Sequence, residues 1–524
     1  MILSDQGQSV VVAEHGLLVA YGQFAKGVGL IKEIEQVPFK MKTVDHSPAD
    51  KVAELLCHIL SGGMHINELA KSAHPLGKDQ AVAQAWGQQS FASSSGVSQL
   101  LHSVSGDSVN ALKSALDRVI QPFRRRILRE LSPSSVVVDL DLTGLVVSDQ
   151  AKTYEDAGFG YLGEISGVGQ GYQFARVQLQ GLKDALVLGG FLHPGPTVSQ
   201  HCLKESVALI EAQLGRPQRR VECVDKQVVA AQKRLAAINA DLVKLATRPK
   251  AVASRSRLEE QRQRACADIV ALLVYREQLA AENAANPNPR RIILRMDGGF
   301  GDAKSLAWLY EQGYCFVVRA HNSRVTERLR QEENLQWMKV SKNGFIAESK
   351  QTRLGACPYP MRLFACRQVR TKDRPERWST LVVTPELDPK EWPVRRVGVF
   401  YDGRQVIEAG IKESKGIFAS RHLPTRHKAG IELYEALVLF AQNLVRLFRR
   451  QFLGNTELGA AGVKELVRIG ANSRAIVVEG RGVSVLTFVG ESTWSGITLQ
   501  IKSEIADQLS LPFLDDVWLA GARP

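Results

Sequence analysis

The run from Ser135 to Val147 places two carboxylates inside a segment that is otherwise apolar and β-branched. This composition, bounded by turn residues, predicts a buried β-strand. Side chains two apart in a strand leave the same face of the sheet, so Asp139 and Asp141 are expected to lie side by side. A buried strand carries two carboxylates only if something cationic compensates their charge. The segment therefore predicts a sheet that holds a charged site.

A second apolar run, Arg290–Asp297, also predicts a strand, and Asp297 ends it. The residues that follow, Gly-Gly-Phe-Gly, form a turn in which the backbone is able to approach a ligand closely. For Asp297 alone, a turn or capping role is an equally good interpretation.

A third carboxylate lies in the segment Val397–Lys415. Here Tyr401, Arg404, Glu408 and Lys415 are separated by two, three and six residues. From Arg404 onward the apolar spacing predicts a helix, on which Arg404 and Glu408 share a face. A carboxylate flanked by two cations and a phenol suits a divalent metal with phosphates nearby. The simpler alternative is an amphipathic surface helix with an i,i+4 Arg–Glu pair.

Two aspartates and one glutamate that converge at strand ends are able to hold a pair of Mg²⁺ ions. Such a pair stabilises the attacking and leaving oxygens of an in-line phosphoryl transfer. The three segments together therefore favour a metal-dependent enzyme that acts on phosphodiesters.

The remaining chain predicts an α/β protein with a mixed sheet, because strands and helices alternate after residue 131. Residues 1–130 are mostly helical and suit either a DNA-binding helix-turn-helix or a plain helical bundle. Residues 221–288 predict a helical hairpin, broken near 247–250, with dimerisation, DNA contact or mere spacing as its open roles. The remaining predicted segments are 131–220, 289–319 and 398–453 as three parts of one catalytic domain, 320–397 as a β-rich insertion, and 454–524 as a C-terminal tail.

The whole-chain composition supports a soluble protein with a polyanionic partner. The 524 residues carry a formal charge of +13 and a pI near 9.4, which favours nucleic acid. The seven cysteines include no CxxC pair, which argues against a structural zinc site and fits a reducing cytoplasm. The N-terminus lacks a signal-peptide pattern and no apolar run is long enough for a membrane span, so a cytoplasmic location without membrane contact is expected.

These motifs resemble those of bacterial insertion-sequence transposases of the DDE type, the group with the Tyr-Arg-Glu-Lys signature. The resemblance spans roughly 135–455 and rests on the Asp-x-Asp-x-Thr strand, the Arg-x-Asp-Gly-Gly-Phe turn, Phe316-Val-Val-Arg319 and the signature at 401–415. It implies an RNase H-like fold with a helical-hairpin insertion and a β-rich insertion. The hairpin between the first two aspartates is longer than is usual for the family.

The resemblance also implies roles for individual residues. Asp141, Asp297 and Glu408 would be the catalytic, metal-binding triad, because the first aspartate of the family precedes a Thr-containing turn like Leu142–Gly144. Asp139 is the alternative first aspartate. The expected cofactor is Mg²⁺, with Mn²⁺ as a substitute. The residues implied to contact DNA are the phosphate-binding Arg319, Tyr401, Arg404 and Lys415, and Trp378, which would stack on a flipped base.

The predicted function is DNA transposition, with metal-dependent cleavage at inverted-repeat ends and transfer of the freed strands to target DNA. The partners implied are double-stranded DNA and a second copy of the chain, which would form a homodimer holding two ends together. Two alternatives stay open: an RNase H-like nuclease without strand transfer, and an inactive DNA-binding relic.

Overall fold

The computed structural model describes residues 2–3, 9–41, 45–131, 135–147, 154–163, 167–182, 184–246, 252–370, 375–454, 456–480 and 483–502. Its strands are β1 (Ile2–Leu3), β2 (Ser9–Ala13), β3 (Val136–Val146), β4 (Gly158–Tyr161), β5 (Val168–Gln180), β6 (Ala185–Pro194), β7 (Ile292–Met296), β8 (Cys315–Arg319), β9 (Met338–Lys339), β10 (Gly344–Glu348), β11 (Arg362–Gln368), β12 (Arg377–Val383), β13 (Ala475–Gly480), β14 (Val483–Phe488) and β15 (Thr498–Lys502).

The helices of the same residues are α1 (Gly16–Gly27), α2 (Leu30–Glu35), α3 (Pro48–Leu60), α4 (Glu68–Lys71), α5 (Gln80–Ala85), α6 (Ser94–Ser103), α7 (Gly106–Leu131), α8 (Ser199–Leu214), α9 (Val221–Ala246), α10 (Val252–Ala284), α11 (Ala303–Glu311), α12 (Ser323–Arg330), α13 (Val394–Asp402), α14 (Gln405–Gly416), α15 (Lys428–Phe448) and α16 (Val463–Arg468). Short 3-10 turns and one π-helical turn, Arg449–Leu453, complete the regular structure.

The chain forms two compact units, each built from separate stretches of sequence. The first unit comprises Met1–Ser132, Leu140–Val198 and Gln405–Pro524, and the second comprises Pro133–Asp139 and Ser199–Arg404. Strand β3 contributes to both, since the division falls between Asp139 and Leu140.

The first unit joins the two ends of the described chain in one antiparallel sheet. Its strand order is β1-β2-β13-β14-β15, with Val10 of β2 opposite Val478 of β13. Strands β13 and β14 lie in the segment 454–524 that was predicted as a C-terminal tail, and β13 pairs with the N-terminal β2. Alternating apolar residues such as Val477 and Leu486 are buried, which gives this sheet a packed face.

The first unit also contains the strand order β4-β5-β3, and β6 pairs with β5 as well. The apolar helix α15 packs on β6, and Asn443 fixes the contact. Its Nδ2 donates to the Val187 carbonyl at 2.8 Å, and its Oδ1 accepts from the Val187 backbone N–H at 2.9 Å. A buried amide paired on both atoms is stable in an apolar core, so this contact orients the helix.

The second unit contains the order β3-β7-β8-β12-β11-β10-β9. Strands β7 and β8 are parallel and are connected through α11, whereas β12, β11, β10 and β9 continue in antiparallel pairs. One apolar core joins the parallel strands to the antiparallel strands. Its buried members include Ile293, Val317, Phe364 and Trp392. The α/β class with a large mixed sheet is thus confirmed.

Helices α9 and α10 pack against each other in the second unit, and the break predicted near 247–250 lies outside the described residues. The base of the pair surrounds the Glu311 carboxylate. Tyr359 and Gln227 donate to its Oε1 at 2.7 and 2.8 Å, and Tyr275 donates to its Oε2 at 3.2 Å. These bonds satisfy a carboxylate that is only 9% exposed, and they anchor the helices to α11.

Two features differ from the sequence expectations. The segment predicted as β-rich also contains α12 and the start of α13. Residues 142–144, which the resemblance compares with a turn, continue β3 as the strand pattern over 135–147 predicted, and the backbone of Gly144 lies against Leu162 where a Cβ would overlap. In the part of the chain that the structure describes, no helix is both long and apolar enough to cross a membrane.

Candidate active site

Asp297 directly follows β7 and begins the Gly298–Phe300 3-10 turn. Its Oδ1 accepts from the backbone N–H of Gly299 at 3.0 Å, so the capping role is present. Burial raises the pKa of the carboxyl group, and the Arg404 and Arg319 guanidinium groups oppose that rise. The sequence therefore places a desolvated carboxylate between cations, which is the environment of a ligand-binding acid rather than of a surface turn.

The turn after Asp297 is held against the end of β8 by the absence of a side chain at Gly301. A Cβ at this position would overlap the Arg319 carbonyl oxygen, and the Gly301 carbonyl accepts from the His321 N–H at 3.1 Å. The close approach sets the distance between the Asp297 turn and Arg319.

We expect Gly301→Ala to lower the free energy of unfolding by about 1–3 kcal/mol, because the backbone oxygen cannot yield without displacing β8. The matched control is Gly298→Ala, whose Cβ would meet no atom closer than 3.8 Å. Urea unfolding of both variants tests the expectation, and equal stabilities would contradict it.

Tyr401, Arg404 and Arg319 all belong to the second unit. The Tyr401 hydroxyl donates to the Met296 carbonyl at 3.2 Å, which connects α13 to the residue before Asp297. Burial raises the pKa of Tyr401, so the phenol stays protonated at neutral pH. Arg319 ends β8 and is exposed.

The sequence expectation that Arg404 begins the helix of Glu408 is wrong. Tyr401 lies in α13, Arg404 lies in the turn that follows, and α14 begins at Gln405. At the neighbouring Gly403, a Cβ would overlap the Arg295 guanidinium, so a side chain at this position would displace Arg295.

Arg295 is the site residue that sequence reasoning missed. Its Nε and Nη2 bind the two Asp139 carboxylate oxygens at 2.6 and 2.8 Å, and its Nη1 donates to the Phe400 carbonyl at 2.8 Å. Asp139 is fully buried, so the cation expected beside this strand is an arginine. Arg295 and Asp297 are two apart in the chain, and that Arg-x-Asp pattern was an available signal. The carboxylate of Asp139 is therefore already neutralised by an arginine.

Trp378 lines a cavity of about 230 Å³ in the second unit, together with Arg319 and Tyr401. Its indole Nε1 donates to Glu376 Oε1 at 2.6 Å, and Arg367 lies 5.7 Å from the ring centroid. Further contacts with the ring come from Trp337, at 5.6 Å between centroids, and Arg330, at 5.8 Å. An aromatic ring with several cations around it suits a nucleobase and its phosphate.

Asp141, Glu408 and Lys415 belong to the first unit. Asp141 lies in β3 and is 8% exposed, and its Oδ1 accepts from the N–H of Leu142 at 3.0 Å. Glu408 is half-buried in the first turn of α14. Lys415 Nζ donates to the Gly144 carbonyl at 2.7 Å, so this cation holds the end of β3. Burial lowers the pKa of Lys415, while Glu435 and Asp141 oppose that effect.

The buried Arg176 holds helix α14 in place through hydrogen bonds and close packing. The guanidinium donates to Ser414 Oγ at 3.0 Å and to Gln178 Oε1 at 2.9 Å, and Gly410 leaves room for it. Gln442 of α15 donates to the Gly410 carbonyl at 2.8 Å. These contacts set the rotation of α14 and thereby the direction of Glu408.

The buried Glu435 makes stability dependent on pH. It accepts from Ser420 Oγ at 2.7 Å, and burial raises its pKa to about 7 from an ordinary 4.5. Between these values the unfolded carboxyl releases its proton while the folded one retains it. The contribution of Glu435 to stability therefore falls as pH rises from 4.5 to about 7, by roughly 3 kcal/mol.

We expect Glu435→Gln to remove the share of the pH dependence that Glu435 contributes, because an amide does not titrate. Urea unfolding measured below pH 4.5 and above pH 7 provides the test. Glu432→Gln, on the same helix and paired with Lys113, is the control and should retain the wild-type difference. A Glu435→Gln profile parallel to that of wild type would refute the assignment.

The donor chemistry of the three acids fits a hard divalent cation. Asp141, Asp297 and Glu408 offer carboxylate oxygens, the ligands that Mg²⁺ and Mn²⁺ prefer. At Asp297 the charge is already desolvated, so a cation would offset a cost that the fold imposes. Carboxylate oxygens of this kind are the donors that metal-assisted phosphoryl transfer requires.

Comparison with known protein families points to the same chemistry. Residues 270–444 match the family model described as Transposase DDE domain. A search of the curated proteins finds no match. The matched transposase DDE domain spans about a third of the chain and begins within α10. It includes Asp297 and Glu408 but not Asp141.

The match to the DDE domain supports a DDE transposase, with DNA as its partner. Proteins of this type generally use divalent metal ions, in agreement with the oxygen-donor set.

Proposed function

We propose that this protein is a Mg²⁺-dependent transposase of the Tyr-Arg-Glu-Lys group, which cleaves the inverted-repeat ends of its element and joins them to target DNA in the cytoplasm. The observation that carries the proposal is the transposase DDE match, which contains Asp297 and the complete 401–415 signature. Mn²⁺ is proposed as a substitute ion.

Asp141, Asp297 and Glu408 are the proposed metal ligands. The bound metal would supply Lewis-acid activation of water and stabilisation of the leaving 3′-oxygen. The protein's own part is to keep these carboxylates ionised and oriented. Arg404 and Arg319 oppose the raised pKa of Asp297, and the backbone N–H of Gly299 binds one of its oxygens.

The surrounding residues are proposed to hold DNA. Arg319 and Arg404 suit phosphate oxygens near Asp297, and Tyr401 supports the backbone carbonyl before it. Trp378 is proposed to stack on a base turned out of the duplex, with Arg367 beside the ring. Lys415 is proposed to bind phosphate, in addition to its bond to Gly144.

The proposed role of each part of the chain follows the predicted segments. Residues 131–220, 289–319 and 398–453 would form the catalytic domain, with 221–288 and 320–397 as insertions. Residues 1–130 would contribute end recognition, and 454–524 would complete the first sheet. Two copies would hold the two ends of the element.

The test uses a plasmid that carries the DNA flanking the gene, incubated with purified protein and Mg²⁺. Metal-dependent cleavage at the ends, followed by joining to a second plasmid, is the expected result. Cleavage without joining would favour an RNase H-like nuclease. Binding without cleavage, with verified ends, would favour a DNA-binding relic and contradict the catalytic proposal.

A further inference from the structure

The outward face of α10 carries an apolar stripe that its partner helix does not cover. Val270, Leu273 and Val274 are 61%, 42% and 64% exposed, and Cys266 is exposed beside them. Positions i, i+4, i+7 and i+8 share one face of a helix, so these four side chains form a continuous surface.

This stripe is separate from the face that holds the two helices together. Ala265 and Leu279 are buried, and Leu279 packs with Val224 and Val228 of α9. An apolar face is maintained in water only at a cost in solubility, so a stripe with no role in the hairpin's own packing indicates a binding partner.

The polar residues at the two ends of the stripe indicate that this partner is a second copy of the chain. Gln263 and Glu277 bound it, each seven residues from its centre at Val270. If a second copy packs antiparallel about a two-fold axis at Val270, Cys266 meets Val274 and the Gln263 amide meets the Glu277 carboxylate. Within the stripe, apolar groups then face apolar groups, a donor faces an acceptor, and no like charges oppose each other.

We propose that this outward face of α10, from Gln263 to Glu277, binds the same face of a second copy in a two-fold antiparallel helix pair. The sequence left dimerisation, DNA contact and spacing as possible roles of the hairpin. The stripe favours dimerisation over DNA contact, because phosphates select basic rather than apolar side chains. This inference goes beyond the proposed catalytic function and does not depend on it.

The expected affinity follows from the size of the face. Fifteen helical residues extend about 22 Å, and one such helix pair is at the small end of specific interfaces. The dimer should therefore dissociate on dilution. Sedimentation equilibrium of the full-length protein without DNA is expected to show a monomer–dimer equilibrium.

Val270→Asp is expected to weaken this dimer by on the order of tenfold or more, because it would place two carboxylates opposite each other at the two-fold axis. The control is Val229→Asp on α9, where the wild-type valine is 49% exposed but lies outside the stripe. Circular dichroism establishes that both variants are folded. A wild-type protein that stays monomeric, or a Val270→Asp dimer as tight as wild type, would overturn the proposal.

A second measurement tests directly whether the two-fold axis passes at residue 270. In a Cys266→Ser background, Val270→Cys should form an interchain disulfide under mild oxidation, because residue 270 faces its own copy within disulfide reach. Val229→Cys in the same background should not. Cross-linking through residue 229 and not through 270 would refute the antiparallel register. Neither readout involves DNA cleavage, so failure here is distinguishable from failure of the transposase proposal.

Discussion

Asp297→Asn is expected to reduce metal-dependent cleavage of the transposon ends by about a thousandfold or more, because it removes a charged ligand while preserving shape. The amide oxygen is still able to accept from the Gly299 N–H, so the 3-10 turn should persist. Folding should not suffer, since burial already disfavours the charge at this position. DNA-end binding, measured separately by gel shift, should remain.

The matched control for this experiment is Asp302→Asn. Asp302 caps α11 through its Oδ1, which accepts from the N–H groups of Lys304 and Ser305 at 3.1 and 3.0 Å. Asparagine caps equally well, so this variant should cleave like wild type. Glu408→Gln should match Asp297→Asn, and the double variant should be no worse, because ligands of one site act as a unit. Cleavage retained by Asp297→Asn would contradict its assignment as a metal ligand.

The largest stability effect is expected at the buried pair of Asp139 and Arg295. Arg295→Met should lower the free energy of unfolding by about 3–5 kcal/mol, because it leaves the Asp139 charge buried without its bidentate partner. The variant also loses the bond to the Phe400 carbonyl and the contact with its ring, 4.9 Å from the guanidinium. Urea unfolding of the folded chain measures the loss.

A double-mutant cycle separates the pair from the loss of packing. Asp139→Leu with Arg295→Met should be more stable than the sum of the single changes predicts, because no unpaired charge remains. Arg291→Met is the surface control, since Arg291 lies just before β7 and is exposed, with a 3.8 Å contact to Glu391 and a 3.0 Å hydrogen bond to the Glu386 carbonyl. The control should change stability by no more than about 1 kcal/mol. Additive single-variant effects would show that the pair is not coupled.

Local pattern was enough to predict most of the elements around the site. The strand predicted from Ser135 to Val147 corresponds to β3, and the predicted run that ends at Asp297 contains β7. Each prediction used periodicity and turn chemistry within one short segment. Such signals act between neighbours in the chain, so one sequence is able to reveal them.

Two features came only from long-range contacts. Strand β2 pairs with β13, more than four hundred residues away, and neither strand encodes its partner. Asp139 and Asp141 are equivalent in the strand pattern, and the structure pairs Asp139 with the Arg295 guanidinium.

The sequence by itself determined the α/β class, the three carboxylate-bearing segments and the signature spacing, because these depend on residue type and on local periodicity. The tertiary structure decided which carboxylate is neutralised by an arginine, how closely the Asp297 turn approaches Arg319, and which face of α10 stays uncovered. Those outcomes depend on which side chains, distant in sequence, are buried next to each other. Their contacts determine the free-energy cost of burying a charge or of leaving an apolar surface exposed.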